Sequence, residues 1–359
     1  MPPLQQPVQV YILLGQSNML GMGKVVGNTT NGTLEFAVHN EGKFQYLWDK
    51  AAGTWATSDT VRNVLIMGSG NQSFEQSQLL HNEFMTVNIV NQTTIGPELG
   101  IGWTLRNFTD EPIMLLKACI GERALGRELL PPGSPSFDYI DPKNASHITT
   151  YAGYHQSPES WEKGNMPKPV AWMAGEQYDG DTNRSSIILG NLGLYYPGAT
   201  RYEVAGFFWW QGDSDSRNMA LSERYEINLV NLIKQLRLRF HAPNALFVTA
   251  SLGQTVQGSM LGDGLILDAM LNVANASVHP EFAGTVAAVY THPLSMGGAS
   301  GVPLWCRLPW CRRIHHYNQN AETFMNVGKG MGAAMVKLLK KKRSQEAARK
   351  EWHLAPTAL

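Results

Sequence analysis

Ser17, Gly121, Gln211, Asp213 and a histidine at 315 or 316 could share one acyl-transfer reaction, although they lie far apart in a chain of 359 residues. That chemistry needs a nucleophile, a base for its proton, a group that orients the base, and donors for the oxyanion. Ser17 stands in Gly15-Gln16-Ser17-Asn18, directly after the apolar run Val8 to Leu14. This is the pattern of a buried strand that delivers a serine onto a tight turn, although the Gly-x-Ser-x-Gly elbow is absent. Histidine is the natural base, because its unperturbed pKa is near ~6.5. Of the ten histidines, His315 and His316 sit just before the last helical pattern, and His292 is the reserve. Asp213 or Asp215 could orient the base. The Gln211 amide beside them could donate to an oxyanion, and a plain Asx-type turn would place the same residues without chemistry.

The elements that must position these residues are apolar runs alternating with helical patterns. Val8–Leu14, Pro112–Ile120, Tyr202–Trp210, Leu246–Leu252 and Ala283–Tyr290 read as five buried strands, with Val61–Met67 as a possible short one. Helices are expected from Pro97 to Phe108, Ser222 to Phe240, Leu265 to Ala276 and Asn320 to Lys342, with a short one near Leu189–Tyr196. Such alternation implies a mainly parallel five-stranded sheet covered on both faces. Sites in these sheets form at the carboxyl ends of the strands. Ser17, Gly121, Gln211 and Asp213 all follow strand ends. The stretches 24–94 and 126–200 read as long insertions in a single domain spanning 1–342, followed by a basic tail over 343–359. The tail reads first as a solvated helix end and second as a binder of an acidic surface.

Composition narrows the function classes. Basic and acidic residues balance at 29 each, which points away from nucleic acid as a partner. No run approaches the ~18 apolar residues of a membrane span. No paired Cys/His spacing suggests a metal, and no cofactor is expected. Asn-x-Ser/Thr acceptors occur at Asn28, Asn31, Asn71, Asn91, Asn107, Asn144, Asn183 and Asn275, eight of 23 asparagines. Chance would give roughly one in eight, so a secreted glycoprotein is expected, its leader absent from this chain. Cys306 and Cys311 are close enough in sequence to pair in an oxidising compartment, which would leave Cys119 over.

Five segments in order carry a resemblance. They are Gly15-Gln16-Ser17-Asn18-Met19, Ile95-Gly96-Pro97-Glu98-Leu99-Gly100, Lys117 to Leu125 (KACIGERAL), Trp210-Gln211-Gly212-Asp213-Ser214-Asp215, and His316-Tyr317-Asn318. Together they resemble the sialate O-acetylesterase-like branch of the SGNH hydrolases, grouped with the acetyl xylan esterases of carbohydrate esterase family six. The resemblance implies a three-layer α/β/α flavodoxin-like fold and a serine esterase that removes O-acetyl groups from carbohydrate. It implies Ser17 as nucleophile and His316 as base. It also implies an oxyanion hole from the Ser17 and Gly121 N–H groups and the Gln211 side chain, with Asp213 as the orienting acid. The chain departs from the pattern in several places. Asp213 replaces a Glu, Glu122 a second Gly, and Ala124 a Ser. Arg313 stands where many SGNH enzymes carry an Asp. Asp213, Asp215 or a backbone carbonyl therefore remain open as the group that aims the histidine. Two other functions fit the same fold: a glycan-binding protein with weak or no catalysis, and a lipase or thioesterase.

Overall fold

The computed structural model describes residues 4–87, 93–296 and 315–354. At its centre is β1 (Val8–Gly15). Val8, Val10, Ile12 and Leu14 join one buried cluster, while Tyr11 and Leu13 join another. A strand that is apolar on both faces needs cover on both, which parallel sheets obtain from helices.

Six further strands complete the sheet: β2 (Val61–Met67), β3 (Gln78–Phe84), β4 (Ile113–Ala118), β5 (Tyr202–Trp210), β6 (Leu246–Ala250) and β7 (Val286–Val289). Their order is β7-β6-β5-β1-β4-β2-β3. All neighbours run parallel except β2 and β3. Among the described residues, the helices that flank the sheet or line its carboxyl edge include α1 (Ser17–Leu20), α2 (Glu98–Arg106), α3 (Glu176–Gly190), α4 (Met219–Arg239), α5 (Gly262–Val273) and α6 (Ala321–Leu354). The apolar faces of α3, α4 and α5 pack on one side of the sheet. Those of α2 and α6 pack on the other, which makes three layers.

The expected five-stranded sheet is thus a seven-stranded one. The short strand at Val61–Met67 belongs to it, and β3 is an added antiparallel edge. β3 escapes a reading by pattern because His81 alone among its residues is buried, so no alternation marks it. The insertion over 126–200 is also more ordered than its composition suggests. It holds an antiparallel sheet of Phe137–Ile140, Ile148–Tyr151 and Ser160–Glu162, and then α3. Helix α3 hides from a hydrophobic-periodicity reading because Gln177, Asp181, Thr182, Arg184 and Ser185 share its buried positions with Tyr178, Ile188 and Leu189. Helix α4 starts at Met219 rather than Ser222. The Asn218 side chain caps it, accepting from the Ala220 and Leu221 N–H groups. Helix α6 continues through Leu354, so the segment after 342 is helical to that point. Cys306, Cys311, Arg313 and Asn91 lie outside the described residues. Cys119 is a buried free thiol. Among the described residues, no helix is long and apolar enough to cross a membrane.

Candidate active site

Ser17 reaches its position because Gly15 lets the chain pass close to β5. Gly15 has φ +150°, and a Cβ there would lie 2.3 Å from the Trp210 carbonyl oxygen. Gln16 then locks the turn to the next loop, its Oε1 accepting from the Gly212 and Ser214 N–H groups at 3.3 Å each. Ser17 opens α1 and is buried.

A buried ion pair fixes the far end of α1. Lys117 on β4 donates to Glu98 Oε2 at 2.7 Å and to the Leu20 carbonyl at 2.8 Å. Glu98 in turn accepts from the Gly96 N–H at 2.9 Å. A lysine inside the otherwise apolar strand β4 is the sequence signal for this pair, since a buried charge requires a partner.

The histidine arrives on an unusual turn. His316, Tyr317, Asn318 and Gln319 have φ between 54° and 57°, the left-handed region. Each non-glycine residue held there costs roughly 1–2 kcal/mol, so the turn needs strong anchors. Tyr317 supplies one. Its ring stacks on Trp210, with centroids 5.9 Å apart and planes at 14°, and meets Phe324 edge-on at 6.0 Å. Its hydroxyl oxygen accepts from Asn18 Nδ2 at 3.0 Å and from the Gly253 N–H at 3.1 Å. The result is a contact of 2.8 Å between His316 Nε2 and Ser17 Oγ. His292 instead bonds through Nδ1 to the Gly253 carbonyl at 2.8 Å. The side chain of His315 lies outside the described part.

Gly121 lies against the serine. A Cβ built on it would lie 3.7 Å from Ser17 Cβ, its nearest neighbour. Neither the Ser17 nor the Gly121 N–H has a hydrogen-bond acceptor among the described residues. Glu122 has φ +57°, a left-handed conformation that a glycine would adopt without strain.

Gln211 and Asp215 do other work. Gln211 is fully buried, and its Nε2 donates to the Arg123 carbonyl at 2.9 Å and to Asp215 Oδ2 at 2.5 Å. Both amide protons are used, so as placed this side chain offers none to an oxyanion. Its Oε1 accepts from the Tyr225 hydroxyl at 2.8 Å. Asp215 is also fully buried and accepts from the Leu125 and Gly126 N–H groups at 2.8 Å each. Burial pushes its carboxyl up to about 6, against the three donors that favour the ionised form. Asp215 thus ties down the loop that begins at Gly121. Asp213 points elsewhere: it pairs with Arg217 and accepts from Gln254 Nε2 at 3.4 Å. Among the described residues, neither carboxylate is hydrogen-bonded to His316. The structure therefore brings Ser17, His316 and Gly121 together, and leaves Asp213 at the rim and Gln211 beneath the loop.

Sequence reasoning does not single out Tyr317, Asn18, Lys117 or Glu98 as site residues. Arg123 is another that it misses. It donates to Gln177 Oε1 and Ser69 Oγ and lies over the Trp172 ring at 5.3 Å, two residues beyond Gly121.

Residues 159–293 match the family model of carbohydrate esterases described as sialic acid-specific acetylesterase. This agrees with the family read from the five segments. The matched stretch contains the Trp210–Asp215 block but neither Ser17 nor His316. No curated protein matches the chain. Solved structures similar to it include a protein from Arabidopsis thaliana, at 15% identity and TM-score 0.49, which aligns over 92% of this chain and 98% of its own. A carbohydrate acetylesterase from Xanthomonas citri aligns at 13% identity and TM-score 0.44, over 90% of this chain and 56% of its own. NanS aligns at 13% identity and TM-score 0.39, over 98% of this chain and 100% of its own.

Proposed function

We propose that this protein is a serine esterase that removes O-acetyl groups from carbohydrate. The observation that carries the reading is the 2.8 Å contact of Ser17 Oγ with His316 Nε2 at the carboxyl edge of the sheet. Ser17 gives its proton to His316 Nε2 while Oγ bonds to the acetyl carbon. The oxyanion that forms lies toward the Ser17 and Gly121 N–H groups, each such donor being worth about 10²–10³ in rate. Collapse breaks the bond from the acetyl carbon to the sugar oxygen, and His316 returns the proton to that oxygen. Water, deprotonated by His316, then attacks the acetyl carbon of acetyl-Ser17; the bond from that carbon to Oγ breaks, His316 returns the proton to Oγ, and acetate leaves.

The family description supports carbohydrate as the alcohol component. Seven of the eight glycosylation acceptors fall within the described residues, and all seven are exposed, which supports a secreted glycoprotein. The test is acetate release from a panel of acetylated sugars and from p-nitrophenyl acetate. Wild type is expected to turn over, and Ser17→Ala is expected to be inert. Full activity in Ser17→Ala refutes the reading. Saccharide binding without turnover favours the glycan-binding alternative, and faster cleavage of octanoyl than acetyl esters favours a lipase.

A further inference from the structure

Two adjacent residues of the serine turn pair with two adjacent residues of the histidine turn. Ser17 meets His316, and Asn18 meets Tyr317. The second contact is the deeper one. Tyr317 is 4% exposed, its ring packs against both Trp210 and Phe324, and its hydroxyl also takes the Gly253 N–H. The loop after β6 passes close to this ring and to Ser295, since a Cβ on Gly253 would lie 2.7 Å from Tyr317 Cε1 and 2.0 Å from Ser295 Oγ. Three separate pieces of the carboxyl edge therefore meet at one phenol oxygen: the nucleophile turn, the β6 loop and the base turn.

We propose that Tyr317 is a positioning residue that sets His316 against Ser17, through the Asn18 and Gly253 hydrogen bonds of its hydroxyl. This rests on the esterase reading above. Left-handed backbone at residues 316–319 has no intrinsic preference for this geometry, so an external tether must select it. The carboxylates first in line for the task are engaged elsewhere, Asp213 with Arg217 and Asp215 with Leu125, Gly126 and Gln211. Tyr317 is the anchor one bond away in the chain, and it touches the neighbour of the nucleophile. Burial raises the phenol above its ordinary range, so the hydroxyl stays neutral while the site works.

The variant Tyr317→Phe keeps the ring and its stacking and removes only the hydroxyl. Its kcat is expected to fall roughly tenfold or more, because small misplacements of a catalytic group are costly. KM should stay within about twofold, since the tether does not touch substrate. Asn18→Ala should lower kcat alone and add little in the Tyr317→Phe background, as expected for two ends of one tether. A second measurement needs no turnover. The His316 imidazole resonances of the folded protein should shift in Tyr317→Phe, as they should in Ser17→Ala. Wild type that turns over alongside a Tyr317→Phe of unchanged kcat overturns the positioning role, as do unchanged His316 resonances. A wild type that releases no acetate overturns the esterase reading instead, and the resonances then decide the positioning role by themselves.

Discussion

Lys117→Met is the most informative perturbation of the frame beneath Ser17. Lys117 and Glu98 have side chains 1% and 8% exposed and are 2.7 Å apart. Removing the lysine leaves Glu98 with only the Gly96 N–H, and the Leu20 carbonyl loses its donor. Breaking one partner of such a pair costs about 3–5 kcal/mol, because the other charge is stranded away from water. Glu98→Gln on the Lys117→Met background removes the stranded charge. It keeps an acceptor for Gly96 and offers an amide proton near Leu20. The double variant should therefore recover about 2 kcal/mol or more relative to the sum of the single losses. Urea denaturation of the three variants measures this directly, with unchanged slope as the control for two-state behaviour. Because Leu20 closes the helix that begins at Ser17, kcat should fall in Lys117→Met and recover in part in the double variant. A loss below about 1 kcal/mol in Lys117→Met, or simple additivity, refutes the reasoning.

Three other outcomes follow from single side chains. Glu122→Gly relieves a left-handed backbone costing roughly 1–2 kcal/mol and gives back about 0.5–1 kcal/mol of unfolded-state freedom, so thermal or urea unfolding should show a gain of about 0.5–1 kcal/mol. Asp215 has a folded-state value near 6, above its ordinary 3.8, so the folded protein binds its proton more readily and stability rises as pH falls between those values. Wild type should therefore gain roughly 1 kcal/mol relative to Asp215→Asn between pH 7 and pH 5, and a loss over that range contradicts the assignment. Asp213→Asn should keep kcat within about tenfold of wild type, because Arg217 already engages its carboxylate; a loss of about 10⁴, as for a true triad acid, contradicts this.

The sheet was largely legible because its buried strands are written as continuous apolar runs ending at turn residues. Ser17, Gly121 and Gln211 follow β1, β4 and β5 as expected, and the pairing of strand ends with chemistry follows from parallel topology. Helix α3 was not legible, since much of its buried face is polar: Gln177 and Arg184 bond to the backbone at Gly68 and Gly70, and both donate to Asp181. Polar burial looks like a surface when only periodicity is read. The partners of Gln211 and Asp213 were not legible for a related reason. A sequence places a side chain at a strand end, but it does not say whether Asp215 or Arg217 will claim that side chain first. Tyr317 was hidden because its value lies in contacts distant in sequence, with Asn18 299 positions away and Gly253 64.

The central claim is that Ser17 carries the acetyl group between sugar and water. Acid-quenched enzyme mixed with p-nitrophenyl acetate, digested and analysed by mass spectrometry, tests it most directly. The account predicts an acetyl group on the peptide containing Ser17, absent in Ser17→Ala and accumulating less in His316→Ala. An enzyme that releases acetate while that peptide stays unmodified, with acetyl found on another residue, contradicts it.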